Sequence, residues 1–207
     1  MYLCQGVFVT RRTQADRSAA TQQALVGAAI ELLTERGWAA TTTVAVCDRA
    51  RLTRGALIHH YPSLSALLAQ ALESLYEDLS EPGRPPATTM VALLDDVWSA
   101  VGDARFKAVI EAWSAAGNDS ELATELGPAI TRFAKLVSPS SAGRGSPLRD
   151  RDAKAFFLMA REAMIGLALG RATNGGKPLG HERMVLTRLR AEAAALDART
   201  NHDGEDR

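Results

Sequence analysis

The side chains best suited to contact a nucleic acid lie together in one stretch, TTTVAVCDRARLTRGALIHHYPSLSALL, which runs from Thr41 to Leu68. Arginine and histidine can donate hydrogen bonds to phosphate oxygens and to base edges, and threonine hydroxyls can do so as well. A glycine or an alanine beside them would let the backbone approach a nucleic acid closely. The candidate contacts to double-stranded DNA are Thr42, Arg51, Thr53, Arg54, Gly55, Ala56, His59, His60 and Tyr61.

Two short helices joined by a tight turn are predicted to position these side chains. Thr42 or Thr43 can cap a first helix that ends at Ala50, because a threonine hydroxyl can accept from a free backbone N–H of the first turn. Thr53 can cap a second helix in the same way. Pro62 is expected to end that helix, since the residue before a proline disfavours helical geometry. This layout is typical of a helix-turn-helix domain.

The second short helix is predicted to have a buried side and an exposed side. Leu52 and Leu57 are apolar and are expected to point inward. Arg54, Ile58 and His59 would then point outward or along the DNA groove. The second helix is therefore the candidate recognition helix.

The same stretch resembles the DNA-binding end of the TetR family of bacterial transcriptional regulators. The family pattern is a helix that ends in glycine and an aromatic residue, then a Thr-Thr pair, a scaffold helix, a turn and a recognition helix. The matching residues are Gly37-Trp38, Thr41-Thr42, Val46-Cys47, Ala50-Arg51-Leu52-Thr53, Gly55, Leu57-Ile58, His60-Tyr61 and Ser63-Leu64. These matches keep the family's spacing without a gap and cover roughly the first third of the chain.

The resemblance implies an all-α fold of about nine helices. An N-terminal three-helix helix-turn-helix domain would bind DNA, and a C-terminal helical domain would bind an effector and form a homodimer. The implied function is a ligand-responsive transcriptional regulator, most often a repressor, which binds a palindromic operator and is released by a small apolar or amphipathic effector. His60 matches the family's histidine beside a phosphate, and His59 lies where the family often has a base- or backbone-contacting side chain.

Three positions depart from the family pattern. Arg51 replaces the glycine of the turn, so this residue must either tolerate a left-handed backbone or shift the turn. Ile58 replaces a tyrosine and Leu64 replaces a lysine, both of which usually touch the DNA backbone in the family. We therefore expect weaker or more salt-sensitive binding than in a member with both residues. The alternative is a helical interaction module with weakened or lost DNA binding.

Composition agrees with a helical protein that has one DNA-facing end. The chain has 207 residues, of which 46% are hydrophobic and 5% aromatic, and this composition suits helix packing better than a sheet. The net charge is zero, but residues 1–62 contain seven Lys and Arg against four Asp and Glu. The excess of positive charge lies at the end that is predicted to face DNA.

The sequence predicts neither an enzyme nor a cofactor or metal site. Cys4 and Cys47 are far apart, and His59 and His60 are adjacent on a helix, so neither pair has the spacing of metal ligands. Ser63 lacks the flanking glycines of a nucleophile elbow. The chain has no secretory signal and no apolar run that could span a bilayer, so we expect a cytoplasmic protein without a membrane partner.

Two breaks in the helical pattern, at residues 81–87 and 138–147, are rich in proline, glycine and serine. The predicted divisions are a disordered arm over residues 1–16, a helix-turn-helix domain over 17–63, a connecting helix over 64–80, and an effector-binding and dimerisation domain over 81–207. The arm is either a solvated tail or a segment that follows DNA. Helices are predicted at 17–36 and, after the first break, at 88–101, 104–117, 119–137, 148–172 and 182–197.

The last two predicted helices are candidates for a homodimer interface. The sequence of residues 155–169 is apolar almost all round, and a stripe of Leu186, Leu189, Ala193 and Leu196 follows on the last helix. The two helices could pair with their copies in a four-helix bundle, and charge at Leu189 or Met164 would then dissociate the dimer. The other interpretation is a deeply buried core helix within a monomer.

Large aromatic and methionine side chains in the second domain are candidates for an effector pocket. They are Trp98, Phe106, Trp113, Phe133, Phe157 and Met164. Such residues at helical spacing are also typical of an ordinary core. Arg161 and Glu162 either orient a ligand or face solvent, and Glu111 is a third ionisable residue in an apolar helical stretch.

Overall fold

The computed structural model describes residues 13–80, 85–136, 146–148 and 150–205. Within these ranges every regular element is an α-helix, which confirms the predicted all-α class with about nine helices. In chain order the helices are α1 (Gln14–Arg36), α2 (Thr43–Ala50), α3 (Arg54–His60), α4 (Leu64–Leu79), α5 (Met90–Val101), α6 (Phe106–Ala116), α7 (Ser120–Leu136), α8 (Arg151–Thr173) and α9 (Glu182–Glu205).

Hydroxyl and carboxylate side chains determine where many of these helices begin. Each accepts a hydrogen bond from a backbone N–H of the first turn, which has no partner within the helix. The capping residues are Thr13, Thr42, Thr53, Ser63, Thr89 and Asp150. The predicted caps at Thr42 and Thr53 are therefore confirmed.

Two helices extend beyond their predicted bounds. α1 begins at Gln14 rather than at residue 17, so the last residues of the predicted arm are helical. The reason is a capping box, in which the Thr13 N–H donates to the Asp16 carboxylate over 2.8 Å and the Asp16 N–H donates to the Thr13 hydroxyl over 3.1 Å. Residues 1–12 of that arm lie outside the described residues. α9 continues to Glu205, past its predicted end at residue 197.

The helix-turn-helix rests on two long helices. α1 packs against α2, α3 and α4, and α4 carries the chain from the recognition helix into the second domain. The side chains that join these four helices are apolar and buried, and they include Leu25, Leu33, Val46, Leu57 and Leu67. The position of α3 is thus determined by its packing against α1 and α2.

The second domain consists of two groups of helices. α4, α6 and α7 pack together, while α5 lies against both α8 and α9. The Asp197 carboxylate of α9 accepts from the N–H groups of Met90 and Val91 over 2.7 and 3.1 Å, and so satisfies the start of α5. The Arg190 guanidinium of α9 donates to Asp95 of α5 over 2.8 Å.

The buried side chains of both domains form one continuous cluster. A rearrangement of α6 or α7 would therefore displace packed side chains as far as α1 and α4. None of the described helices has the combination of length and hydropathy that a membrane crossing requires.

Candidate nucleic-acid interface

Two threonines shape the turn that leads into α2. Thr41 is buried, and its hydroxyl donates to the Gly37 carbonyl oxygen over 2.9 Å. Thr42 is exposed, and its hydroxyl oxygen accepts from the Ala45 N–H over 3.2 Å. Because that oxygen serves as an acceptor, the hydroxyl hydrogen of Thr42 is available to a phosphate.

Arg51 takes the place of the family's turn glycine by adopting a left-handed backbone. Its φ of 54° and ψ of 43° make it the one described non-glycine residue with a positive φ. Its N–H donates to the carbonyl oxygens of Cys47 and Asp48, which closes the end of α2. Of the two possibilities left open by the sequence, the structure shows the first, an arginine with a left-handed backbone.

The outward side of α3 combines a cation, a glycine, an apolar side chain and a histidine. Arg54, Gly55 and His59 are exposed, and Ile58 is 54% exposed. Leu57 is 2% exposed and lies in the core. The predicted division of the recognition helix into a buried and an exposed side is confirmed.

The arginines of this domain differ in whether they are free to bind DNA. Arg49 contacts Glu31 and Glu35 of α1 over 2.8 and 2.7 Å, and these hydrogen bonds raise the pKa of its guanidinium and lower the pKa of Glu35. Arg51 and Arg54 are exposed and form no ion pair with any described residue. Arg49 therefore braces α2 against α1, whereas Arg51 and Arg54 present unpaired charge.

Gly55 leaves a gap on the surface of α3. A Cβ built on this residue would have the Thr53 hydroxyl as its nearest neighbour, at 3.8 Å. That hydroxyl caps α3 by accepting from the Ala56 N–H over 3.2 Å, and Ala56 is half-buried. The fold itself has room for a larger residue at position 55, so any need for glycine there comes from outside the chain.

The aromatic residues at the end of α3 are placed differently from one another. His59 is exposed and His60 half-buried, with ring centroids 5.0 Å apart in an edge-to-face arrangement. Tyr61 follows the helix and is 9% exposed, and burial raises the pKa of its phenol. The Tyr61 ring is thus part of the core, and little of it is left for DNA.

Leu64 has a role inside the protein. It is half-buried and packs against the core, as does Leu52 of the turn. A lysine in place of Leu64 would lose this apolar contact, so the departure from the family pattern at this position has a packing reason.

Residues 25–71, which include the whole helix-turn-helix, match the family model described as bacterial regulatory proteins, tetR family. Over 170 residues the chain is 33% identical to the HTH-type transcriptional regulator CymR of Pseudomonas putida, a match that covers 77% of this chain and 83% of that protein. The chain belongs to the TetR family. It is a DNA-binding transcriptional regulator, and the family is not one of enzymes.

Solved structures share the fold of this TetR-family regulator along most of its length. A TetR-like transcriptional regulator from Rhodococcus sp. RHA1 has a TM-score of 0.60 at 16% identity and covers 89% of this chain and 99% of its own. Salmonella enterica GusR has a TM-score of 0.58 at 19% identity, with 90% and 98% covered. At these identities the likeness concerns the fold alone.

In this TetR-family chain, carboxylates from the second domain contact both ends of the helix-turn-helix. The Trp38 N–H donates to Glu111 of α6 over 3.1 Å, just before α2. At the other end, the Ser63 hydroxyl that caps α4 donates to Glu125 of α7 over 3.1 Å. Gly37 is buried beneath Glu111, and a Cβ there would lie 3.0 Å from both carboxylate oxygens.

Sequence reasoning did not assign a role to Glu111, although a lone carboxylate in an apolar helical stretch was a usable signal. Its partner is a backbone N–H 73 residues away, which no local pattern reveals. On α8, Arg161 and Glu162 form an ion pair with each other, and Glu162 is exposed.

The six predicted pocket residues lie in the second domain, but most of them are tightly packed. Phe106, Phe133, Phe157 and Met164 are each 2% exposed or less. Phe106 contacts Trp113 and Phe133 edge-to-face, with centroids 5.9 and 6.4 Å apart. These residues therefore form an aromatic core as the structure stands.

The two tryptophans are less enclosed. Trp113 is half-buried, and its indole N–H is buried without a hydrogen-bond partner among the described residues. Trp98 is half-buried beneath Arg171, whose guanidinium carbon lies 5.0 Å from the ring centroid. Arg171 also pairs with Glu182, which lowers the pKa of that carboxyl.

A cavity of about 350 Å³ lies between the two domains, where α1, α5 and α8 end and α6 begins. Its lining includes Thr34, Lys107 and Arg171, and none of the six predicted pocket residues. Sequence patterns could not locate this cavity, because it is formed by the ends of four helices that are distant in the chain.

Both candidate interface helices use their predicted apolar residues within the subunit. On α9, Ala193 is fully buried and Leu189 packs against the core, and on α8 Met164 is 2% exposed. Met164 is therefore buried within the subunit and is not available to a partner, whereas Leu189 is half-buried and its place in a dimer interface stays a prediction. The exposed apolar side chains lie on the opposite side and are Leu158, Met159, Leu169 and Met184.

Proposed function

We infer that this TetR-family regulator is a homodimeric repressor, which binds a palindromic operator and releases it when a small apolar or amphipathic effector occupies the second domain. Repression is the commonest mode of action in the family. The observation that carries the proposal is the exposed side of α3, where unpaired Arg54 lies beside uncovered Gly55.

Arg54 has the chemistry to read DNA sequence. A guanidinium can donate two hydrogen bonds to the edge of a guanine in the major groove, and Arg54 has no acidic partner among the described residues to compete for them. Gly55 would let the backbone of α3 approach the duplex, and Thr42 and Arg51 would contact phosphates on either side.

The outer side of α8 supports a homodimer. Leu158 is 38% exposed, Met159 66% and Leu169 47%, and all three lie on one side of the helix. Met184 at the start of α9 is 69% exposed. A symmetric dimer that covers these side chains would carry two recognition helices, as a palindromic operator requires.

An effector would act by shifting the population of two arrangements of the recognition helices. The aromatic cluster around Trp113 supports a site in the second domain, because the buried indole N–H is a donor without a described acceptor. A ligand with an apolar body and one acceptor atom would satisfy that donor. Glu111 on the same helix contacts the turn before α2, so a displacement of α6 would move that turn.

The decisive experiment is a titration of the purified protein against duplexes enriched from a random-sequence pool, at about 50 and 200 mM salt. We expect saturable binding that weakens steeply from the lower to the higher salt concentration, because the release of counterions from DNA contributes most of the affinity. Arg54→Ala should weaken binding about tenfold per half-site through a lost base contact, with the oligomeric state unchanged. Lys135→Ala, at an exposed position on α7, is the matched control and should bind normally.

The same titration separates the two candidate functions. An interaction module that has lost DNA binding would enrich no sequence and give no saturable, salt-dependent binding. An Arg54→Ala variant with the affinity of the Lys135→Ala variant would show that α3 is not part of the recognition surface.

A further inference from the structure

Ile58 is an anomaly on the recognition helix. It is 54% exposed, although a side chain of this kind is usually buried. The interior side of α3 is already filled by Leu57 and Tyr61, so Ile58 does not contribute to the core of this subunit. Its exposed surface therefore faces whatever partner α3 binds.

The charge around Ile58 identifies the kind of partner. Arg54 lies one turn earlier on the same side of the helix, and His59 is the next residue. The sequence has no Asp or Glu between Asp48 and Glu73. An apolar side chain in such cationic surroundings suits a polyanion that also offers an apolar group.

Double-stranded DNA offers one such group in its major groove, the 5-methyl group of thymine. We propose that Ile58 determines operator specificity by packing on a thymine methyl group in each half-site. The inference rests on the proposed function, since it needs α3 to enter the major groove. Ile58 has no donor or acceptor, so it can distinguish thymine from the other bases only through this apolar contact.

This role is compatible with the position of Ile58 in the family pattern, where a tyrosine usually touches the DNA backbone. A thymine methyl group projects at the edge of the major groove, beside the backbone of its own strand. A shorter side chain at the same place therefore exchanges a polar contact with a phosphate for an apolar contact with the adjacent base. Specificity for thymine replaces part of the sequence-independent affinity.

The test compares one duplex with and without its thymine methyl groups. A duplex enriched by the wild-type protein is amplified with dTTP and thymine-containing primers, or with dUTP and primers that carry deoxyuridine in place of thymidine. The second product has the same base pairing and lacks every thymine 5-methyl group. Wild-type protein should bind the uracil duplex about fourfold more weakly per half-site, or about fifteenfold for a dimer on two half-sites. Ile58→Ala should bind the thymine duplex about fifteenfold more weakly than wild type and show less than about a twofold difference between the two duplexes.

Val44→Ala is the matched control, because Val44 of α2 is also an exposed β-branched residue, at 66%. This variant should keep the full preference of the wild type for the thymine duplex. Thermal unfolding of each variant verifies that the domain folds, which is expected because neither side chain is in the core.

Equal discrimination by wild type and Ile58→Ala would overturn the inference, since the effect of uracil would then come from DNA shape. An absence of discrimination by the wild type would overturn it as well. If the wild type enriched no duplex, the proposed function itself would fail, and the assignment of Ile58 would fail with it.

Discussion

The recognition helix and α8 both expose large apolar side chains, but in different electrostatic surroundings. On α3, Ile58 lies beside Arg54 and His59, in a segment without acidic residues. On α8, Met159 and Leu169 lie on one side of the helix, and the charged residue Glu162 between them is already paired with Arg161. The comparison shows that exposure alone does not identify a partner: unpaired positive charge favours DNA, and its absence favours a second subunit.

The largest effect is expected from charge on the outer side of α8. The double substitution Met159→Glu and Leu169→Glu should give a monomer, since two carboxylates would be buried against an apolar surface. DNA affinity should fall on the order of 100-fold, because one short recognition helix makes few contacts. Sedimentation velocity and a DNA titration measure the two effects.

Gln70→Glu on α4 provides the control for added charge, as this position is exposed and distant from the proposed interface. It should remain a dimer. A double variant that sediments like the wild type would mean that these side chains of α8 do not contact a second subunit. The contrast between α8 and α3 would then not hold.

A smaller effect is expected at Gly55. Gly55→Ala should weaken DNA binding about tenfold, because a methyl group would occupy the space into which the duplex fits. The same change should stabilise the free protein by about 0.5–1 kcal/mol, as alanine is the better helix former and has room on α3. DNA titration and denaturant unfolding measure these opposite changes.

Gly27→Ala is the counterpart within α1, where a Cβ would also meet open space. It should stabilise the protein by a similar amount and leave DNA binding unchanged. Loss of affinity in both variants, or in neither, would contradict a close approach of DNA at Gly55.

The smallest effect is expected at the strained turn. Arg51→Gly should stabilise the protein by about 0.5–1 kcal/mol, because relief of the left-handed strain exceeds the conformational entropy that glycine adds to the unfolded chain. The midpoint of thermal unfolding should rise by about 2 °C. If Arg51 contacts a phosphate, the slope of log affinity against log salt should also decrease by about one per subunit. A lower unfolding midpoint would show that the Arg51 side chain stabilises the fold by more than the strain costs.

Local signals made the helix-turn-helix predictable. Thr42, Thr53 and Pro62 mark where helices begin and end by hydrogen bonding and by steric exclusion, which act within a few residues. The alternation of buried Leu57 with exposed Ile58 follows from helical periodicity. The left-handed conformation of Arg51 was one of two stated possibilities, since the family pattern shows that a turn is present but not how an arginine is accommodated.

The second domain was less predictable because its helices are apolar on more than one side. The pattern of α8 does not reveal whether Met164 or Met159 faces the core, and the packing of α5, α6 and α9 around α8 decides between them. The contact between Glu111 and Trp38 and the cavity beside Lys107 also depend on packing between distant segments. Such features arise from tertiary structure, and no short window of sequence contains them.

The contact between Glu111 and Trp38 has a consequence for protein engineering. A chimaera that joins residues 13–63 of this chain to the effector domain of a relative would leave the Trp38 N–H without its acceptor unless that domain has a carboxylate where α6 has Glu111. The reverse chimaera would place the carboxylate against the loop of a relative. Any residue larger than glycine at position 37 would crowd this carboxylate, at a backbone φ of 78° that favours glycine. Exchange of sensing and DNA-reading modules is therefore expected to work best when Gly37 and Glu111 are transferred together.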